Sequence, residues 1–134
     1  ELGIFISGAQ ELMITEHCLL MSQGPCDERC GQCARRKSPH YLRDRKDFEF
    51  PVVTDALGRS HLYNSVALDV ASALPELLAA GVSSFLVDTT LMNVQQATEA
   101  VSRAVHARDI ALKGDNRLPK MEGCTTGHLF RGVS

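Results

Sequence analysis

Cys18, Cys26, Cys30 and Cys33 place four of the chain's five cysteines within sixteen positions, and the last three follow a C-x3-C-x2-C spacing. A thiolate is a soft anionic ligand, and four of them in one short loop repel each other unless a cation lies between them. Zinc and iron–sulfur clusters both meet that need. Gly24, Pro25 and Gly31 punctuate the stretch and let the backbone turn several sulfurs inward. The stretch therefore reads as a metal loop. Disulfides are the competing chemistry, but five cysteines leave one over, and no secretory signal or apolar spanning segment accompanies them. Paired C-x2-C knuckles usually mark zinc, whereas the uneven x7, x3, x2 progression fits a cluster equally well. Spacing leaves the choice of metal open.

The residues around the loop carry further chemistry. His17 reads as an outer hydrogen-bond donor to the thiols or a solvent-facing residue rather than a ligand. Arg35, Arg36 and Lys37, then Arg43, Arg45 and Lys46, form a basic stretch. Such a run is usually a solvated face, but here it can also offset thiolate charge or meet a phosphate-bearing substrate. Tyr41, Asp44, Arg45, His61, Tyr63 and Asn64 are the other side chains with functional potential. Each has a plain alternative: Asp44 as a turn former, Arg45 as a surface charge, Tyr63 as an edge-strand aromatic. Cys124, far from the others, reads as a lone thiol. Neither H-E-x-x-H nor G-x-S-x-G occurs, so the residues alone give no independent support for proteolysis.

With 134 residues, 44% hydrophobic and 22% charged, the chain can bury the core of one compact domain. A formal net charge of −2 gives no general attraction to nucleic acid or anionic lipid. Trp is absent and aromatics amount to 5%, which argues against a broad base-stacking platform. The expected setting is the cytoplasm, with no membrane partner. The chain starts at Glu1 and runs directly into an apolar segment, as expected of a piece of a longer protein.

Four segments must position these residues. Residues 1–38 hold a buried strand at Leu2–Ile6, ended by Ser7-Gly8, then a second extended run at Glu11–Thr15 and the cysteine loop. Met13 and Ile14 are expected in the core. Residues 39–65 alternate with period two over Tyr41–Arg43, Phe48–Thr54 and Ser60–Asn64, a small antiparallel meander with turns at Asp44–Asp47 and Asp55–Gly58. Pro51 places its strand at an edge or a bulge. Residues 66–113 read helix–strand–helix. Val66 to Leu78 recur at helical steps, with Ser65 as N-cap, Gly81 as stop and Pro75 as a kink. Val82–Val87 is a buried strand. Asn93–Leu112 is an amphipathic helix with Val94, Ala97, Ala100, Val101, Ala104, Val105 and Ala107 on its inner face. Residues 114–134 are an irregular tail. The fold class is α/β, a partial barrel-like β/α unit with a meander and a cysteine loop.

Several blocks resemble the U32 peptidase (collagenase-like protease) family. They are Glu11-Leu-Met-Ile-Thr-Glu-His-Cys18, Leu42-Arg-Asp-Arg-Lys46 leading to Phe50-Pro-Val52, and His61-Leu-Tyr-Asn-Ser65. Leu74-Pro-Glu-Leu-Leu-Ala-Ala-Gly-Val82 and Thr126-Gly-His-Leu-Phe-Arg-Gly132 follow in the same order. The resemblance implies the C-terminal half of a U32-type protein, whose missing N-terminal half supplies the first strands of the barrel-like domain. It implies a peptidase acting on peptides. It also implies, from relatives, a [4Fe–4S] cluster on four cysteines serving oxygen-independent hydroxylation of RNA bases or of a quinone precursor. A structural zinc module is the third reading. By position, Cys18 and Cys26 match the family's first two ligands, and Cys30 and Cys33 fall where further ligands occur. The chain departs from many cluster-binding relatives at Leu68-Asp69-Val70, where they carry their last cysteine. It departs again at Val87-Asp88-Thr89-Thr90, where relatives have a Glu-Gly-Arg-like segment.

Overall fold

The computed structural model describes residues 1–114, 116–127 and 129. Among them run seven strands and two α-helices: β1 (Gly3–Gly8), β2 (Glu11–Thr15), β3 (His40–Arg43), β4 (Glu49–Thr54), β5 (Ser60–Tyr63), β6 (Leu68–Asp69), α1 (Leu74–Ala79), β7 (Ser84–Val87) and α2 (Val94–Gly114). They divide into two compact units, one of residues 1–9 with 66–134 and one of residues 10–65.

In the first unit β1 lies between β6 and β7, antiparallel to β6 and parallel to β7. Parallel neighbours need a crossover, and α1 lies on the path back to β7. The core gathers Ile6, Leu68, Val70, Leu77 and Val82 in one cluster, and Ala71, Leu74, Ala107 and Ala111 in a second, with Phe85 packed against both. Alanines at the α2 contact let that helix approach closely. The mixed α/β class holds, but both sheets are open and the described residues form no closed barrel.

The helix expected from Val66 starts eight residues later. Leu68 and Asp69 pair with Gly8 and Ser7 of β1, the Asp69 N–H goes to the Thr125 carbonyl, and Asp69 Oδ1 takes the Ala71 N–H. Those backbone groups are already engaged in sheet and turn. Pro75 then falls in the first helical turn rather than mid-helix, where its missing N–H and fixed φ are no handicap. Gly81 follows the helix end, as expected. For α2, Asn93 Oδ1 accepts the Gln96 N–H while Gln96 Oε1 accepts the Asn93 N–H, a reciprocal capping box. Its buried positions are Ala107 and Ala111, not the valines: Val94 is 85% exposed, and Val101 and Val105 are also exposed.

In the second unit the antiparallel order is β2-β5-β4-β3. The meander is present and β2 joins it through β5. Met13 and Ile14 are exposed rather than core, because β2 is an edge strand whose residues this unit leaves uncovered. Pro51 lies in the interior strand β4, opposite Tyr41. It is accommodated because the β4–β5 ladder stops at Val52, so a missing N–H costs no ladder bond there. Residues 16–39 leave the sheet as an excursion built on three short 3₁₀ turns, at Leu19–Gln23, Cys30–Gln32 and Ala34–Lys37. Val52, Thr54 and Ser60 of the sheet are buried, as is Leu20 of the excursion.

Of the tail, the Leu68–Thr125 bridge ties the described part to β6. The expected block at residues 126–132 lies partly outside the described residues, at His128 and from Phe130 on.

Candidate functional site

The excursion is fixed to the sheet at its start. Ser60 Oγ accepts the Leu19 N–H at 2.9 Å and lies 3.3 Å from Thr54 Oγ1. Cys18 is thereby held at the start of the first 3₁₀ turn. The remainder is organised by two guanidiniums. Arg35 Nη1 donates to the carbonyls of Leu20 (3.2 Å) and Gly24 (2.9 Å), and its Nη2 to that of Pro25 (2.8 Å). Arg36 Nε donates to the Thr54 carbonyl (2.9 Å) and its Nη1 to that of Cys30 (2.8 Å). His40 Nε2 donates to the Arg35 carbonyl at 2.6 Å, which leaves Nδ1 to accept from Gln23 Nε2 at 3.1 Å. Sequence reading had only the sign of Arg35 and Arg36; their carbonyl partners depend on the fold of the excursion.

Cys18, Cys26, Cys30 and Cys33 all line one cavity of about 260 Å³, together with His17, Arg35, Arg36, Thr54, Leu57 and Gly58. Every one of the five cysteines is a free thiol. The β4–β5 turn closes one side. Gly58 has φ +82°, and a Cβ there would stand 2.9 Å from Cys30 Sγ, so the wall is shaped to the sulfur. Among the described residues no three His, Cys, Asp or Glu side chains converge tightly enough to grip one ion.

That turn is itself braced. Asp55 Oδ1 accepts the N–H groups of Leu57 and Arg59, and Oδ2 accepts from Arg59 Nε and from His61 Nε2 at 2.9 Å. His61 Nδ1 lies 2.8 Å from Glu11 Oε2 on β2. A carboxylate on each ring nitrogen favours the imidazolium form, in which both nitrogens donate. The hydrogen bond to Asp55, then that to Glu11, pushes the His61 pKa up. The hydrogen bond from His61 leads the causes that hold Asp55 well below the usual carboxylate range. Such a ring has no lone pair with which to take a proton from a nucleophile.

The other candidates are not at the cavity. Tyr41 is exposed on β3, and Asp44 turns the β3–β4 connection by accepting the N–H groups of Lys46 and Phe48. Arg45 is exposed in that turn, Tyr63 is buried in β5, and the Asn64 N–H bonds the Gln10 carbonyl. Cys124 lies in the other unit, its thiol pKa raised by burial and then by the charge of Asp69.

The family model described as peptidase family U32 matches residues 1–126. The chain belongs to that family. No curated protein and no solved structure matched the chain. For this U32 chain, the donor types suit a thiolate-bound metal, four reduced sulfurs lining one cavity whose wall also holds Arg35 and Arg36, although their spacing in this structure does not bring three of them onto one ion. The cavity's volume is several times the roughly 30 Å³ that a water occupies in the liquid. It has room for a polynuclear cluster as well as for a single ion. No helix among the described residues is long and apolar enough to cross a membrane.

Proposed function

We propose that this U32-family chain carries the metal centre of a longer protein, a [4Fe–4S] cluster held by Cys18, Cys26, Cys30 and Cys33. The observation that supports this reading most is that all four thiols line one cavity, although they are spread over sixteen positions of the excursion. A cluster suits a catalytic role better than zinc, because a four-thiolate zinc site is closed and structural. Bound there, a cluster supplies one-electron chemistry. The chain's own residues hold the loop, brace the β4–β5 turn and place cations beside the sulfurs. The parallel pairing of β1 with β7 supports a place in a larger β/α barrel completed by an N-terminal half. The substrate class is an RNA base or a small aromatic, hydroxylated without oxygen.

Peptide hydrolysis is the second reading, and the family match favours it. Against it stands His61, whose two ring nitrogens are both committed to carboxylates. Anaerobic purification of the full-length protein, followed by iron, sulfide and zinc analysis and a visible spectrum, separates the readings. Iron and sulfide with broad absorbance support the cluster; one zinc and no colour support a structural zinc module. Cleavage of peptides by full-length protein that has no metal would restore the hydrolytic reading.

A further inference from the structure

Arg35 and Arg36 are half-buried on the wall of the thiol cavity, and among the described residues neither forms an ion pair. The acids on that wall, Glu16, Asp27 and Glu28, are exposed, and Asp27 faces Arg29. Guanidiniums away from bulk water call for anionic charge nearby, which a thiolate-bound centre in this cavity would supply. Both arginines also hold the ligand-bearing turns from inside. Arg35 reaches three carbonyls between Cys18 and Cys26. Arg36 ties the Cys30 carbonyl to Thr54 of β4.

We propose that Arg35 and Arg36 are positioning residues of the metal site, which fix the spacing of its cysteine turns through carbonyl contacts and balance the charge of the thiolate-bound centre. This inference rests on the reading that the four thiols take a metal. Lysine cannot replace either arginine fully, because an ammonium keeps the charge but lacks the planar fork that spans several carbonyls. Glutamine keeps a single donor nitrogen and loses the charge. The two substitutions therefore separate frame from charge.

The test uses the full-length protein, freed of metal without oxygen and titrated with Co²⁺, whose thiolate absorbance reports ligation. Arg35→Lys and Arg36→Lys should each weaken Co²⁺ binding by about 10- to 100-fold, while Arg45→Gln, outside the cavity, leaves it unchanged. After reconstitution with iron and sulfide, Arg36→Gln should lower the reduction potential more than Arg36→Lys does, because a lost positive charge disfavours the electron-rich state. Unchanged affinity and potential in these variants overturn the inference while leaving the metal reading intact. A variant that unfolds with and without metal alike, scored by circular dichroism, counts against it too, since that marks a purely structural role. If the unsubstituted protein takes up neither cobalt nor iron, the metal reading and this inference fall together.

Discussion

Gly58 stands against Cys30 so closely that a methyl carbon in place of its hydrogen would lie 2.9 Å from the sulfur, on a backbone with φ +82°. Two separate conditions thus exclude a side chain there. Gly58→Ala should cost about 1–3 kcal/mol from the left-handed backbone, measured by urea unfolding. It should also lower metal uptake, because Cys30 Sγ must swing aside.

The His61 brace gives the 10–65 unit a definite pH dependence. The raised pKa of His61 contributes stability that is complete below its unfolded value and lost as pH rises through the folded one. The depressed pKa of Asp55 contributes stability present above its unfolded value and lost as pH falls through the folded one. Both contributions are in place between about pH 4 and about pH 6.5. The unfolding midpoint in urea should decline above that window, and His61→Gln should flatten the alkaline limb. A midpoint in the unsubstituted protein that rises from pH 7 to 9 would contradict the doubly bonded imidazolium.

Asp69 is buried and meets Arg103 Nε at 3.0 Å, with a second contact from Nη2 at 3.3 Å. Removing the cation leaves a carboxylate away from water, with the Ala71 N–H as its remaining described donor. Arg103→Ala should destabilise the chain by about 3 kcal/mol. It should also loosen residues near Pro119, whose carbonyl Arg103 Nη2 holds. Denaturant unfolding and hydrogen exchange check the two effects separately.

The cysteines should sort by position. Cys26→Ser is expected to abolish stoichiometric metal in anaerobic protein, while Cys124→Ser leaves it unchanged, because Cys124 is absent from the cavity lining. With its thiol pKa raised by burial, Cys124 should also be the slowest cysteine to alkylate at neutral pH in metal-free protein. Mass spectrometry of partially alkylated protein reads that order.

Much of this was legible in the sequence, for physical reasons that differ along the chain. The meander was readable because period-two alternation and Asx turns are local signals; Asp44 does in the turn what its type suggests. The span of α2 was readable from its apolar spacing, and Gly81 from its place after a leucine run; the reciprocal cap between Asn93 and Gln96 was not read. The stretch from Val66 to Val70 misled because its helical spacing is real, yet β1 and Thr125 claim its backbone from far away in sequence. Long-range partners also explain what was missed at the site. Glu11 and Asp55 lie 50 and 6 positions from His61, and no spacing rule joins three residues on two strands and a turn. Cysteine spacing singled out the excursion, whose cysteines do line one cavity; the carbonyl cage around Arg35 was not legible, since any exposed basic run reads the same way.

The sheet of the first unit pairs Gly8 with Leu68, and the second unit joins Gln10 to Asn64 through a 2.8 Å backbone bond. Residues 10–65 therefore leave and re-enter the chain through a single doorway. A segment whose two ends are stitched together can be transplanted between hosts without stretching either. The thiol-bearing cassette is thus portable: grafted into a short surface hairpin of an unrelated scaffold, it should carry its cysteines along as one heritable module.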